Sequence, residues 1–460
     1  MITKYLIFTL DGDLLPVAYS LIQEGKEVLV CQIDNPNLLG TDTWISQKED
    51  PEVRRRRLSL YNGMLEKLSL PKMYRKMIGI KDKDNCFVIF GHNSLYKISD
   101  RVRKMGFNTG LLPNEDDYIR EQERQKSKDF VKKYYPGLKV AETKEFSNVD
   151  EVIKFVEESD KFWVVKSDGN HGETIVPDRD DLELAKQQIK SELTNSKNAY
   201  NQGKLILEQK IMNAIEFAPQ MIWYNGKPVC SEVEIETRMF GSGDIGDQTG
   251  GNENVVIPTM LDDKINEIAF PQIMHDIAKK HVGMFIADAG ILSNGKDLYF
   301  TEFAGSRWGW GGIFSELSAA GSCDDYFQAI VEGEDPYRFD FGVGLAVYSI
   351  RSDSKFPMLN QEGLSIFIKD ESRSNFFIMQ CRMKRDQLVN VGYREFDSEP
   401  LGYVVGRGDT LQEAVQEIYD TLQGISMKGI FYRPYEDFLS EAYTSSVVNR
   451  IKFLEKEKLI

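Results

Sequence analysis

Histidine and cysteine are scarce in this 460-residue chain, and neither clusters. His92, His171, His275 and His281 show no metal-ligand spacing. The five cysteines, Cys31, Cys86, Cys230, Cys323 and Cys381, are far apart, odd in number and never arranged as CxxC, which argues against a disulfide framework or a zinc ribbon. Positive charge is also short: 57 Lys+Arg against 72 Asp+Glu leaves a net charge of −15, so a nucleic-acid partner is disfavoured. The one basic run, Arg54 to Arg57, lies in a polar helical stretch, Pro51 to Lys67, and reads as a solvated helix face. Long apolar runs are missing as well. None approaches about 18 residues, and the patch Tyr5 to Leu10 meets Asp11 and Asp13 too soon for a signal peptide. The expectation is a cytoplasmic chain with no membrane contact. No serine sits in anything like a nucleophile elbow.

What is present is an ordinary globular composition, 41% hydrophobic and 28% charged, long enough for roughly three domains at about 150 residues each. The pattern predicts a strand over Tyr5–Thr9, a helix over Leu14–Glu24 and a strand over Glu27–Gln32, the unit from which parallel sheets are built. A further strand, Cys86–Phe90, precedes a helix near Ser94–Met105. The expected fold class is α/β and α+β: an N-terminal parallel α/β domain over 1–120, a central module over 121–335 and a small β-rich C-terminal domain over 336–460. In the central module one helix is expected over Tyr118–Lys133 and another over Val149–Ser159. Strands are expected over Phe162–Val165, Leu205–Glu208, Phe217–Tyr224 and Pro228–Ile235, with Asn225-Gly226 as a hairpin turn. A second hairpin, Ile286–Leu292 and Asp297–Phe303, turns through Asn294-Gly295, and a late helix covers Leu411–Leu422.

Three features carry candidate chemistry. Asp288 and Glu302 fall on the two strands of one hairpin, where acids at matching positions share a face and offer the hard oxygens that Mg²⁺ prefers. Lys166 ends an apolar strand, and the loop after it, Ser167 to Gly172, has glycines that let backbone N–H groups close on phosphate oxygens. The strand Leu207-Glu208-Gln209-Lys210-Ile211 runs into a connector suited to an adenine edge, with Glu216 able to accept from ribose hydroxyls.

In this order and spacing the parts resemble the ATP-grasp superfamily, and within it phosphoribosylamine–glycine ligase. Ser127-Lys128-Asp129-Phe130 is similar to the segment around that family's first ATP-binding lysine, and Val164-Val165-Lys166-Ser167-Asp168-Gly169 to its Val-Val-Lys-Ala-Asp-Gly. Gly243 to Gly251 resembles its Gly-Asp-x-Gly-Pro-Asn-Thr-Gly-Gly loop beside the substrate, Glu302-Phe303 the start of its metal segment, and Val404 to Ala414 its small last domain. The resemblance implies a module of two subdomains clamping ATP, with a lid over about 140–205. It also implies ATP held by Lys128, Lys166, Gly169, Gly172, Glu208, Gln209, Ile211 and Glu216, and Mg²⁺ or Mn²⁺ on Asp288 and Glu302. Arg238, Thr249, Gly250, Gly251 and Arg307 would border the substrate, with Arg307 and Lys166 acting in catalysis.

The implied activity is ATP-dependent, ADP-forming ligation of a small carboxylate and an amine through an acyl phosphate, as in purine biosynthesis, by a monomer or homodimer. The departures are specific. Gly172-Glu173-Thr174 stands where the family has a second Gly-Lys-Gly, Ala304 replaces the metal asparagine, and Ser306 to Gly312 replaces Arg-Phe-Gly-Asp-Pro-Glu. Leu10 to Pro16 has no counterpart of the Gly-Gly-Arg-Glu-His-Ala segment that holds phosphoribosylamine. Two alternatives stay open: a ligase for a modified nucleobase or peptide, and a nucleotide-binding regulator or assembly protein with impaired turnover.

Overall fold

A computed structural model describes residues 1–34, 50–167, 174–177, 180–201, 204–243, 245–304, 311–351, 358–359, 362–392 and 400–460. The described chain divides into a larger unit, Met1–Asp117, Phe217–Asp288 and Ala304–Ile460, and a smaller one, Tyr118–Glu216 and Ala289–Phe303.

The larger unit opens as the pattern predicts. Strands Lys4–Thr9 and Glu27–Gln32 enclose the helix Leu15–Gln23, which Pro16 starts by fixing φ where no intrahelical N–H is needed. The first strand pairs in parallel with the second on one edge and with Cys86–Phe90 on the other. Leu6, Phe8, Val88 and Phe90 are fully buried against Met73 and Met77. Gly110 lies so close to the neighbouring strand that a Cβ would come within 2.0 Å of the Val88 carbonyl oxygen, and its φ of +127° is a glycine conformation.

Arg57 corrects one sequence reading. The helix Pro51–Ser59 does carry a solvated face, where Arg55 and Arg56 pair with Glu52. Arg57, however, is fully buried and donates to the carbonyls of Leu10 at 2.7 Å and Ile33 at 3.0 Å. It ties together the chain just past two parallel strands, because carbonyls leaving a sheet still need donors.

The antiparallel part follows from the Asn225-Gly226 turn, whose φ values of 47° and 80° match the right-handed twist of the strands it joins. Strands Ile215–Tyr224, Lys227–Gly241 and Ile245–Thr259 pair in sequence, and Phe341–Arg351 and Gly402–Gly408 extend the sheet. The predicted strand Pro228–Ile235 is therefore too short. Most of the run likened to a substrate loop is strand, with Gln248 paired to Met239, and the turn lies at Ser242-Gly243.

Two buried features brace this sheet. Glu232 and Glu316 share Gln220, whose amide donates to both at 3.0 and 3.1 Å, and Tyr337, whose hydroxyl oxygen lies 2.7 and 3.1 Å from them; Tyr326 donates to Glu316. Arg433, with no exposed surface, bonds Glu253 at 2.9 Å and Asp437, fastening the C-terminal segment to the sheet.

In the smaller unit, Thr143–Phe146, Leu205–Gln209 and Trp163–Ser167 form an antiparallel sheet with Leu205–Gln209 in the middle. Helices Val149–Glu158 and Leu182–Asn195 bury Val152 and Ile189 against Trp163, Leu205 and Leu207. The helix predicted over Tyr118–Lys133 is two, Glu115–Gln122 and Arg124–Tyr134, broken at Glu123, whose φ of −93° and ψ of 82° leave the helical region.

Burial pushes Glu316 up to about 7, so between its unfolded value, about 4.3, and about 7 the folded state holds a proton that the unfolded chain has released. Its stability contribution is present at low pH and lost as pH rises through that window. Glu316→Gln should therefore flatten the pH dependence and raise stability at pH 8 relative to pH 5 by on the order of 1–3 kcal/mol, measured by urea unfolding at both pH values. Arg433→Met, which leaves Glu253 and Asp437 buried without this cation, should cost about 3–5 kcal/mol in the same assay.

Candidate active site

The smaller unit places three of the predicted residues in one cluster. The helix Arg124–Tyr134 presents Lys128, the strand Trp163–Ser167 presents Lys166, and the central strand carries Glu208 between them. Lys128 Nζ contacts Glu208 Oε1 and donates to Thr143 Oγ1 at 3.0 Å, while Lys166 Nζ lies 3.1 Å from Glu208 Oε2. Thr143 reaches Lys128 because the register sets it directly opposite Glu208. The side chains are 3%, 13% and 8% exposed for Lys128, Lys166 and Glu208, so two ammonium groups share one carboxylate with little water around them. Burial, only partly offset by Glu208, lowers the Lys128 pKa. Burial acts to raise the Glu208 carboxyl, but Lys166 and Lys128 together hold it below the usual range.

This assigns Glu208 a task the sequence reading did not give it. Its carboxylate is the counter-ion of both lysines. The backbone after it is engaged too: the amides of Gln209 and Lys210 donate to Glu142 and Phe162 carbonyls, each at 2.9 Å. The next amide along the connector is that of Ile211, which is half-buried, as are Gln209 and Glu216.

The two expected metal ligands belong to different units, Asp288 to the larger and Glu302 to the smaller. Both are half-buried. Glu302 Oε2 accepts from Arg124 Nη1 at 3.0 Å, a partner that nothing in the spacing announced. The ladder pairs Phe303 with Ala289, and the Ala304 amide donates to the Asp288 carbonyl at 3.4 Å, so Asp288 stands across from Ala304 rather than Glu302. A register shift near Gly290 accounts for the offset. The donor chemistry fits Mg²⁺, which commonly takes one or two carboxylates and completes its shell with phosphate oxygens and water. Among the described residues no group of three or more acids, cysteines or histidines could hold a metal by itself.

In the larger unit, Thr249 donates to the Arg238 carbonyl at 2.7 Å and accepts from the Gly251 amide at 3.3 Å, while Tyr403 donates to the Gly251 carbonyl at 2.9 Å. Arg238 Nε is 2.7 Å from Glu236 Oε2. Gly250 is exposed. The predicted substrate residues Arg238, Thr249, Gly250 and Gly251 thus adjoin one another. Gly169, Gly172 and Arg307, with Glu173, lie outside the described residues.

Sequence reasoning passed over the acids Glu232, Glu234 and Glu236, although they alternate along Ser231-Glu232-Val233-Glu234-Ile235-Glu236-Thr237. The signal was there, since acids at every second residue of a strand line one face.

Residues 123–298 match the family of phosphoribosylglycinamide synthetase ATP-grasp (A) domains. The chain is 22% identical over 318 residues to phosphoribosylamine–glycine ligase of Clostridium acetobutylicum, covering 67% of this chain and 73% of that enzyme. It is 23% identical over 325 residues to the ligase of Neisseria meningitidis serogroup B, covering 67% and 74%. The crystal structure of the Thermotoga maritima phosphoribosylamine–glycine ligase superposes with a TM-score of 0.62 at 15% identity, covering 94% of this chain and 99% of that one. A Campylobacter jejuni biotin carboxylase superposes with a TM-score of 0.58 at 15% identity, covering 94% and 93%. The fold and these matches together show a chain that resembles the ATP-grasp proteins, phosphoribosylamine–glycine ligase among them.

Proposed function

We propose that the protein is an ATP- and Mg²⁺-dependent, ADP-forming carboxylate–amine ligase, most similar to phosphoribosylamine–glycine ligase. The observation that carries this reading is the charge count around Glu208: two buried ammonium groups on one carboxylate leave a positive excess that a phosphate group would balance. Lys128 and Lys166 would neutralise phosphate oxygens of ATP, with Glu208 holding both ammonium groups in place. Ile211 supplies the next connector amide for the adenine edge, beside Gln209, and Glu216 an acceptor for the ribose. Gly169 and Gly172 are assigned to the phosphate loop by resemblance.

Asp288 and Glu302 would hold the metal, which when bound spreads the charge that develops as a carboxylate oxygen attacks the γ-phosphorus. The chain's share is positioning and charge. Arg124 holds the Glu302 carboxylate in orientation. Arg238, Thr249, Gly250 and Gly251, and by resemblance Arg307, would fix the substrates, so that the amine opens an acyl phosphate and phosphate leaves as the amide forms. Lys166 and Arg307 are the residues proposed to act on the reacting groups. Ala304, in place of the metal asparagine, favours one second reading, a nucleotide-binding regulator that has lost turnover.

Release of ADP that requires both an acid and an amine, assayed over small amino acids and amine acceptors, is the expected result; ATP binding without ADP release from any pair would support the regulator. Lys166→Ala should lower that turnover by about 10²-fold or more. Glu208→Gln leaves two ammonium groups without their counter-ion and should destabilise the nucleotide-free protein by about 3–5 kcal/mol, with part of the loss recovered on adding ADP and Mg²⁺, read by thermal unfolding. Because the Glu208 pKa is held low, its stabilisation is present above the unfolded value of about 4.3 and lost as pH falls through the folded value. The glutamine variant should lack that acid-side decline.

A further inference from the structure

Three glycines in the larger unit leave space for polar groups. A Cβ at Gly312 would come within 2.1 Å of Glu234 Oε1, and one at Gly311 within 2.1 Å of Asn254 Nδ2. At Gly251 it would lie 2.4 Å from Glu236 Oε1 and 3.1 Å from Asn254 Oδ1. Glu236 and Asn254 face each other across paired strands, and Glu234 lies two residues along on the same face. The trio therefore converges beneath the first turn of the helix Gly311–Ala320.

The Asn254 side chain has no exposed surface, yet among the described residues neither its Nδ2 nor its Oδ1 meets a hydrogen-bond partner. Glu234, half-buried, accepts no hydrogen bond from the described residues. Leaving a buried amide unsatisfied is costly, and such a group in a native fold calls for a ligand or a mechanistic reason. Glu232 and Glu316 show the contrast: they are acids on the same unit, but three side chains donate to them.

We infer that Glu234, Glu236 and Asn254 form the subsite for the amine substrate, which binds as a compact primary ammonium carrying no phosphate. This rests on the ligase reading and narrows its acceptor. An ammonium offers three donors, matching two carboxylates and one amide oxygen. A phosphate would meet the Glu234 and Glu236 carboxylates, with Arg238 Nε already on Glu236 at 2.7 Å.

The test is calorimetric titration of the full chain, without ATP, with ethanolamine and with O-phosphoethanolamine, which differ only in the phosphate. Saturable ethanolamine binding is expected, at least tenfold tighter than that of the phosphate ester. It should weaken at least tenfold in Glu234→Gln and severalfold in Asn254→Ala, with the unfolding temperature of each variant recorded to show that it is folded. No saturable ethanolamine binding, equal binding in a folded Glu234→Gln, or tighter binding of the ester would overturn the subsite. An ADP-release assay separates the two readings. Glu234-dependent amine binding without ADP release from any acid–amine pair leaves the subsite standing and removes the ligase, whereas amine-dependent ADP release indifferent to Glu234→Gln does the reverse.

Discussion

One buried carboxylate shared by two lysines organises the smaller unit. Glu208 sits on the central strand of its sheet, so its backbone is fixed by two ladders. Lys128 arrives from a helix and Lys166 from the neighbouring strand. Both ammonium ends are held at one carboxylate. An isolated buried lysine would give up its proton. A pair around a single acid stays charged only in part through that acid, and the remaining excess makes the place attractive to an anion.

The sequence was most legible where period and punctuation agree. Strand Glu27–Gln32, strand Cys86–Phe90 and helix Leu411–Leu422 lie where the pattern places them, the last because Thr410 and Glu413 form a reciprocal cap. The glycine-bearing turn at Asn225-Gly226 is equally plain. What could not be read was decided by partners distant in the chain. Arg57 looks like its solvated neighbours until the carbonyls of Leu10 and Ile33 come to meet it. Glu208 looks like a hinge acid until a helix 80 residues earlier brings Lys128 to it. The break at Glu123 leaves no mark in the helical period of charged residues around it. At the site the lysines and the order of the acids were visible, whereas the offset between Asp288 and Glu302 depends on a register shift that composition does not encode.

The larger unit treats its acids in two ways. Glu232 and Glu316 are surrounded by hydroxyl and amide donors and behave as part of the core, their proton affinity set by burial. Glu234 lies on the same strand face as Glu232 but meets glycine backbone where its neighbour meets Tyr337 and Gln220. Two residues of strand separate an acid satisfied from within from one that is not. The distinction lies in the supply of donors.

The smaller unit is made of two stretches of chain, 118–216 and 289–303, separated by a stretch that belongs to the other unit. During synthesis, which runs from the N-terminus, the sheet around Glu208 has all its strands well before the hairpin bearing Glu302 leaves the ribosome. The lysine cluster can thus assemble on the nascent chain while the intervening residues are still being made. A ribosome stalled just before residue 289 would display Lys128, Lys166 and Glu208 complete and Glu302 not yet translated.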